Sequence, residues 1–354
     1  MAGPDGNWPQ AKTPLRDAYA RAGVDIAAAD SAVERYRQIG ASWRHPSQIG
    51  GIGGFGGAFA LPGDDTRALV ASTDGVGTKT LVAAALRRYG TVGSDLVNHC
   101  VNDILVMNAT PLFFLDYLAV GKLDPSVAAE IVGGVQAACR AHDTALLGGE
   151  TAEMPGVYGD DAFDLAGTIV GIVDVAAIPD PLRVRAGDAI VGLPAHGLHT
   201  NGYSLARSLV PEQRWSAPFQ GERTYGDALL ADHPSYYRPV RAIQDVADVK
   251  AMAHITGGGL RDNVPRTLPA HCKAIFEQSR WDVPPLMAEL VRLGDLSLEE
   301  RYRTINMGIG FTLIVSTADA AKAIRAVPEA RVVGWIEPRA ESEPAVIVHP
   351  ARTA

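Results

Sequence analysis

Short apolar runs that stop at glycine-rich or polar turns, and are then followed by helical spacing, recur along this sequence and restrict its fold. The pattern begins with the apolar run 68–72, the turn 73–79 and a helical segment that extends to Leu86. Apolar runs of about four to eight residues favour buried strands, and spacings of three and four favour helices. Because the two types alternate, we expect an α/β fold with α+β character, made of mixed sheets. Further strands are predicted at 112–118, 144–147 and 165–173, and helices at 19–38, 95–107 and 125–142.

The segment Pro179-Asp180-Pro181 divides the chain into two halves. A residue before proline avoids the helical region, so this segment predicts a domain boundary. We expect a disordered N-terminus at 1–14, an N-terminal domain at 15–176 and a C-terminal α/β domain at 177–354. In the second half, strands are predicted at 189–193, 309–315 and 331–336, and helices near 202–209, 236–246, 259–267, 284–292 and 319–326.

Net charge, cysteine content and hydropathy argue against several classes of partner and site for this protein. The formal net charge of −8 argues against a nucleic-acid partner, which normally meets a basic face. Cys100, Cys139 and Cys272 form no CxxC pair, so we expect neither a cysteine-built zinc site nor a disulfide framework. We recognise no signal peptide and no run of ~18 apolar residues, so we expect no membrane partner. Three widely spaced thiols suit a reduced cytoplasm, so we expect a cytoplasmic location.

Six glycines fall within residues 49–57 and include a G-x-G-x-x-G pattern. A dinucleotide fingerprint follows a strand and opens a helix, and the flanking residues here do neither. The remaining interpretation is a loop whose bare backbone N–H groups approach phosphate, through Gly53, Gly54 and Gly56. A turn-rich linker is the alternative.

The segment Thr73–Lys79 follows a strand and precedes a helix, but it lacks the Gly-Lys-Ser/Thr order of a P-loop. A carboxylate at a strand end can bind Mg²⁺, glycines allow close backbone approach, and a lysine balances phosphate charge. Candidate ligands of Mg-ATP in this segment are therefore Asp74, Gly75, Gly77, Thr78 and Lys79. An Asp-Gly turn with a surface lysine is the alternative.

Asn102 and Asp103 lie within the apolar stretch of the predicted helix 95–107, on which His99 and Asp103 are four residues apart. A buried carboxylate generally needs a partner or a metal, so Asp103 together with Asp74 predicts a divalent cation site. A polar helix face turned towards water is the alternative.

Two further glycine-containing segments follow predicted strands. The segment Gly148–Gly156 predicts a loop whose acidic groups point into a site, with Gly149, Glu150 and Thr151 as candidates, or else a turn with solvated acids. The segment Gly197–Ser204 contains His199, suited to phosphate contact or proton transfer, and Asn201, which is either a ligand or a helix cap.

Residues 254–259 contain three consecutive glycines before a predicted helix. Glycines at a helix N-terminus form an anion cradle, which makes candidates of His254, Thr256, Gly257 and Gly258. A flexible joint is the alternative.

Taken in order, ten blocks of this sequence resemble one family, the phosphoribosylformylglycinamidine cyclo-ligases, also called aminoimidazole ribonucleotide synthetases. The resemblance spans roughly residues 19–348, and Gly148–Gly156 is its most specific block. The blocks are Ala22–Asp25, Gly53–Gly56, Thr73–Lys79, Val101–Asp103, Pro111–Tyr117, Gly121–Asp124, Gly148–Gly156, His199–Ser204, Thr256–Gly259 and Tyr302–Thr304.

The resemblance implies two α/β domains and a homodimer in which the N-terminal domains build a shared β-barrel, with ATP bound near the dimer interface. It also implies a Mg²⁺- and ATP-dependent ring closure in purine biosynthesis, with Lys79, His199 and Asp103 as catalytic residues. The family's nucleotide signature resembles D-x4-G-A-x-P, and this chain has Asn108 where the signature has its first glycine. Asn is among the residues that best tolerate a positive φ.

Two kinds of alternative remain. Other ATP users share the acidic and glycine-rich loops: selenophosphate synthetase, the hydrogenase maturation protein, thiamine monophosphate kinase and the amidine-forming synthetase of the preceding step. We expect a selenophosphate synthetase to have a cysteine loop near its N-terminus, and no cysteine precedes Cys100 here. We expect a hydrogenase maturation protein to end in a cysteine, and this sequence ends in Ala354. We expect the amidine-forming synthetase to be a longer chain. A non-catalytic nucleotide-binding regulator is the other alternative, and it would not need Asp74, Lys79, Asp103, Glu150 and His199 together.

Overall fold

Two six-stranded sheets form the framework of the protein. The computed structural model describes residues 22–23 and 26–351. Three sequence predictions fall partly or wholly outside the described residues. They concern the disordered N-terminus, the first residues of the helix 19–38, and Val24 and Asp25 of the first family block. No helix in the described part is long and apolar enough to cross a membrane.

The first sheet has the strand order β1-β2-β3-β6-β4-β5, in which only β4 and β5 pair in parallel. Its strands are β1 (Gln48–Ile49), β2 (Gly57–Leu61), β3 (Asp64–Gly75), β4 (Thr110–Val120), β5 (Ala145–Glu153) and β6 (Phe163–Asp174). The helices of this half are α1 (Ile26–Ser42), α2 (Lys79–Leu86), α3 (Val92–Leu105) and α4 (Pro125–Ala141). Along β6 every second side chain is buried, from Phe163 to Val173, because only one face of the sheet is covered by helices.

The second sheet has the order β10-β12-β7-β13-β11-β14, in which only β11 and β14 pair in parallel. Its strands are β7 (Ala189–Pro194), β10 (Val249–His254), β11 (Cys272–Glu277), β12 (Ile309–Val315), β13 (Arg331–Pro338) and β14 (Val346–His349), and a hairpin contains β8 (Pro218–Gln220) and β9 (Arg223–Thr224). The helices are α5 (Tyr203–Leu209), α6 (Tyr225–Leu229), α7 (Tyr237–Gln244), α8 (Gly259–Asn263), α9 (Pro285–Gly294), α10 (Leu298–Thr304) and α11 (Thr317–Ala326). Every residue of β12 is buried, as expected for a strand covered on both faces.

The predicted mixed fold is confirmed, and one local prediction is wrong. The block after residue 147 is not a loop, because β5 continues through Glu153 in parallel register with β4. The alternative that the polar residues of α3 face water also fails, because His99, Asn102 and Asp103 are all buried. Within the single chain the first sheet is open at β1 and β5, so no closed barrel exists in the described part of the protein.

The polar face of α3 holds the two halves together by binding the loop at residues 231–236. Asp95 Oδ1 accepts a hydrogen bond from His233 N (2.7 Å), and Asn98 Nδ2 donates to His233 O (2.8 Å). Asn102 Oδ1 accepts from Tyr236 N (2.8 Å), while its Nδ2 donates to Pro234 O (3.0 Å). Asp95, Asn98 and Asn102 are three and four residues apart, so they line one face of the helix. This face fixes the loop backbone from the N-terminal half.

Asn108 forms a second connection between the halves. Its φ is 63°, and its side chain accepts hydrogen bonds from Arg241 Nη1 and from Gln244 Nε2 (3.0 Å), both on α7. Its Nδ2 donates to Ala177 O (2.9 Å). Asparagine therefore does more at this position than tolerate a left-handed backbone, since it ties the α3–β4 turn to α7.

Candidate functional site

Six polar side chains meet where the two halves face each other. We call this group the interface cluster; its members are Asp74, His99, Asp103, His199, His233 and His254. Asp74 lies next to the last residue of β3, and His99 and Asp103 lie one turn apart on α3, whereas the other three histidines come from the second half. Five of the six are buried, and the Asp74 side chain is 44% exposed, so Asp74 is where the cluster opens to solvent.

His99 carries the positive charge of the cluster. Its Nε2 lies 2.8 Å from Asp74 Oδ2 and 3.6 Å from Asp103 Oδ2, and its Nδ1 lies 2.7 Å from Thr200 Oγ1. Burial alone would lower the pKa of His99, but the two carboxylates outweigh it and raise that pKa to about 9. His99 is therefore an imidazolium at neutral pH and balances one of the two aspartates.

His254 and His233 form a buried chain that begins at Asp103. His254 Nδ1 lies 2.8 Å from Asp103 Oδ1, and His254 Nε2 lies 3.1 Å from His233 Nε2. Burial lowers the pKa of both imidazoles, although Asp103 opposes the effect at His254. Two facing ring nitrogens can share only one proton, so the tautomers of these histidines are coupled.

His199 is held as a neutral base. Its ring stacks on that of His233 at 4.1 Å between centroids, and burial lowers its pKa well below the usual value. The Tyr236 hydroxyl lies 2.9 Å from Pro194 O and 3.3 Å from His199 Nε2. Because the hydroxyl proton is donated to the carbonyl, we infer that His199 Nε2–H donates to Tyr236, which leaves Nδ1 unprotonated. His199 Nδ1 has no partner among the described residues, and the low pKa of the ring keeps this nitrogen unprotonated.

Lys79 is completely buried beside the cluster. Its ammonium lies 2.7 Å from Asp95 Oδ2 and donates to Ala231 O (2.6 Å). Burial opposes its charge, but Asp95 outweighs burial and holds the pKa of Lys79 above its usual value. In this arrangement Lys79 anchors the loop that carries His233; a contact between Lys79 and phosphate stays a prediction.

The structure brings most of the predicted glycine-rich segments to the same place. The Ser72 hydroxyl lies 3.1 Å from Asp103 Oδ2 and also 3.1 Å from Phe55 O, so the loop 50–57 lies beside Asp103. A Cβ on Gly77 would contact Thr200 O at 3.4 Å. A Cβ on Gly257 would contact Asn201 Oδ1 at 3.2 Å, so the loops around Asn201 and Gly257 also touch.

The predicted acidic block is the exception. Glu150 is exposed on β5, opposite Tyr117 of β4, and three strand steps separate β5 from β3 in the sheet. At about 4.8 Å per step, Glu150 is roughly 14 Å from the strand that carries Asp74. Gly149 and Thr151 neighbour it on the same strand. These three residues are therefore separate from the interface cluster within one chain.

Asp74 has the chemistry of a Mg²⁺ ligand, because carboxylate oxygens suit this ion and its side chain is partly open to solvent. Asp103 fits less well, because Ser72 and His254 already contact its two oxygens. His199, His233 and His254 do not form a metal site together. The rings of His199 and His233 are within 11° of parallel, so their in-plane lone pairs do not converge on one ion.

Sequence reasoning missed Asp95, His233 and Tyr236, and placed His99 on the helix face without assigning it to the site. The spacing of His99 and Asp103 was a usable signal, because residues four apart on a helix are neighbours. His233 and Tyr236 carried no such signal, since they reach the site only through the packing of their loop against α3.

The first half of the chain, at 56–173, matches the family model of AIR synthase related proteins, N-terminal domain, and residues 185–347 match the model of the C-terminal domain. A phosphoribosylformylglycinamidine cyclo-ligase of Myxococcus xanthus is 47% identical over 312 residues, covering 86% of this chain and 90% of the relative. The enzyme of the same name from Coxiella burnetii is 42% identical over 339 residues, covering 94% and 96%.

Solved structures share the fold at low sequence identity. The hydrogenase maturation protein HypE in complex with ATP superimposes with a TM-score of 0.61 at 20% identity, covering 83% of this chain and 84% of that one. The thiamine monophosphate kinase of Aquifex aeolicus superimposes with a TM-score of 0.59 at 14% identity, covering 90% and 96%. With 42–47% identity to relatives of one name over most of its length, this chain belongs to the phosphoribosylformylglycinamidine cyclo-ligase family.

Proposed function

We propose that this protein uses ATP to close formylglycinamidine ribonucleotide into 5-aminoimidazole ribonucleotide, releasing ADP and phosphate in purine biosynthesis. The curated relatives named for this reaction carry the proposal, because they match the chain through both halves at 42–47% identity. The buried, polar interface cluster supports it, since the chemistry needs proton acceptors, balanced charge and a site from which water is excluded.

We assign the ATP phosphates to the glycine-rich loop of Gly53, Gly54 and Gly56 and to the segment Asp74–Lys79. The first lies beside Asp103 through Ser72, the second contains Asp74, where the cluster opens to solvent, and the backbone N–H groups of such loops suit phosphate oxygens. Asp103 lies beside the glycine-rich loop through Ser72, whereas Asn102 binds the loop at 231–236, so an ATP contact by Asn102 stays a prediction. The fold neighbour solved with ATP supports nucleotide binding by this framework. Because Gly149, Glu150 and Thr151 lie at the far edge of the sheet, an ATP contact by them would require the nucleotide to extend across it or to be bound by a second copy of the chain.

We assign the ribonucleotide to the second half, near His199, Asn201, His254, Thr256, Gly257 and Gly258. Transfer of the γ-phosphoryl group to the formamide oxygen activates the formyl carbon, a substrate nitrogen attacks that carbon, and phosphate leaves as the ring closes. The neutral Nδ1 of His199 is suited to accept the proton that the attacking nitrogen loses. Mg²⁺, bound at Asp74, would supply charge neutralisation at the transferring phosphoryl group.

We propose a homodimer through the open face of the first sheet. Helices cover one face, and the other exposes Phe59, Leu115, Tyr117 and Leu147, the last of them 63% exposed. Contiguous exposed apolar side chains on a sheet generally mark an interaction surface. A barrel shared by two N-terminal halves would bury this face and also bring the exposed Glu150 to the interface.

We propose that the protein is located in the cytoplasm. Cys100, Cys139 and Cys272 are free and buried, as suits a reducing compartment.

The assay for the proposed function is incubation of purified protein with formylglycinamidine ribonucleotide and Mg-ATP. We expect one 5-aminoimidazole ribonucleotide and one ADP per turnover. Protein that is folded and binds ATP but forms no aminoimidazole product would refute the assignment.

Titration of Mg²⁺ tests the metal ligands. We expect Asp74→Asn and Asp103→Asn each to lower turnover by about 10²–10³, by analogy with the loss of other groups that stabilise transition-state charge. Asp74→Asn should also raise the Mg²⁺ concentration needed for half-maximal activity, and Asp103→Asn should do so if Asp103 is the second metal ligand. Asp143→Asn is the matched control, because Asp143 is exposed in a turn of the same half. An unchanged Mg²⁺ requirement in Asp103→Asn would mean that Asp103 only orients His254.

Sedimentation equilibrium tests the dimer. We expect a dimer for the native chain and a monomer for Leu115→Asp, because a buried unpaired carboxylate is costly. Leu182→Asp serves as the control, since Leu182 is 77% exposed and lies outside the first sheet. A native chain that stays monomeric at tens of micromolar would contradict the proposal.

A further inference from the structure

Arg266 lies between two glycine-rich loops that belong to different halves of the protein. Its Nη2 donates hydrogen bonds to Gly53 O (3.0 Å) and Gly54 O (2.7 Å). Its guanidinium also stacks on Phe55, 3.9 Å from the ring centroid. An arginine from the second half therefore holds three consecutive residues of the loop at 50–57.

The same arginine is joined to the loop at 256–259 through Asn263. Arg266 Nη1 donates to Asn263 Oδ1 (3.1 Å). The buried Asn263 amide in turn donates from Nδ2 to Thr256 O (3.3 Å), Gly257 O (3.0 Å) and Gly259 O (2.9 Å). Arg266 and Asn263 thus bind the backbone carbonyls of both loops.

Binding these carbonyls orients the amides on the other side of each peptide. In a trans peptide the C=O and the following N–H point in opposite directions. With the carbonyls of Gly53 and Gly54 fixed on Arg266, the N–H groups of Gly54 and Phe55 point away from the guanidinium. Neither N–H has a hydrogen-bond partner in the described part of the chain. Arg266 therefore presents two backbone donors on the far side of the loop, where an anion can accept from them.

We propose that Arg266 is a positioning residue that couples the two loops, so that ordering of the nucleotide loop at 50–57 by a phosphorylated ligand also orders the substrate loop at 256–259. The inference rests on the proposed function, because it takes ATP and the ribonucleotide as the two ligands. Coupling of this kind is reciprocal: each ligand increases the affinity for the other by the same factor.

The experiment measures binding rather than turnover. Calorimetric titration of a non-hydrolysable ATP analogue with Mg²⁺ is carried out with and without saturating ribonucleotide. For the native chain we expect the second ligand to tighten binding by about tenfold, within the usual range of such couplings. In Arg266→Met we expect this factor to fall to about one, with a raised dissociation constant for each ligand.

Arg266→Lys separates geometry from charge and also carries the test if Arg266→Met does not fold. Lysine keeps the charge but lacks the planar guanidinium, which donates to the two carbonyls and to Asn263 at the same time. We therefore expect no coupling between the two ligands in Arg266→Lys. Arg261→Met is the matched control, because Arg261 lies on α8 in the same segment but contacts Val346 O and Glu299. Its coupling should match that of the native chain.

Two results would overturn the inference: no coupling in the native chain although both ligands bind, or native coupling in Arg266→Met and Arg266→Lys. Each leaves the proposed reaction intact, because product formation is measured independently. Failure of the native chain to bind either ligand would instead count against both the proposed function and this inference.

Discussion

The buried ion pair between Lys79 and Asp95 is the interaction on which the rest of the site depends. Both side chains belong to the first half of the chain, yet together they bind the backbone of the second, through Ala231 O and His233 N. A buried charge without a partner costs several kcal/mol, so neither residue can be lost alone without penalty. The pair therefore fixes the loop at 231–236 on α3, and with it the positions of His233 and Tyr236.

That fixed interface explains how one cluster can hold both charged and neutral imidazoles. His99 lies between two carboxylates and stays protonated, whereas His199 and His233 are equally buried but have no carboxylate that offsets desolvation, so burial disfavours their charge. A cation beside the nucleotide segments and neutral bases beside the predicted substrate loops suit a reaction that both transfers a phosphoryl group and removes a proton. Environment rather than residue type divides these roles.

The sequence was sufficient to predict the mixed fold, the positions of most helices and strands, and the family. These predictions depend on the spacing of apolar residues and the order of motifs, which can be read directly along the chain. The sequence also identified Asp74, Asp103, His199 and His254, which the folded chain brings together at one interface. Prediction from the sequence failed where tertiary packing determines the structure. Residues 148–153 form part of β5 because they pair with β4. His233 reaches the site only because its loop packs against α3. Asn108 shows the same limit, since tolerance of positive φ was predictable but its bonds to Arg241 and Gln244 were not.

The most direct test of this account is a double-mutant cycle on the ion pair, measured by urea denaturation. We expect Lys79→Met to lower the free energy of unfolding by about 3–5 kcal/mol, because it leaves Asp95 buried and unpaired. The double variant Lys79→Met with Asp95→Asn should lose clearly less than the two single variants together, since no uncompensated charge remains. A Lys79→Met protein as stable as the native chain, or losses that are strictly additive, would contradict the central role of the pair.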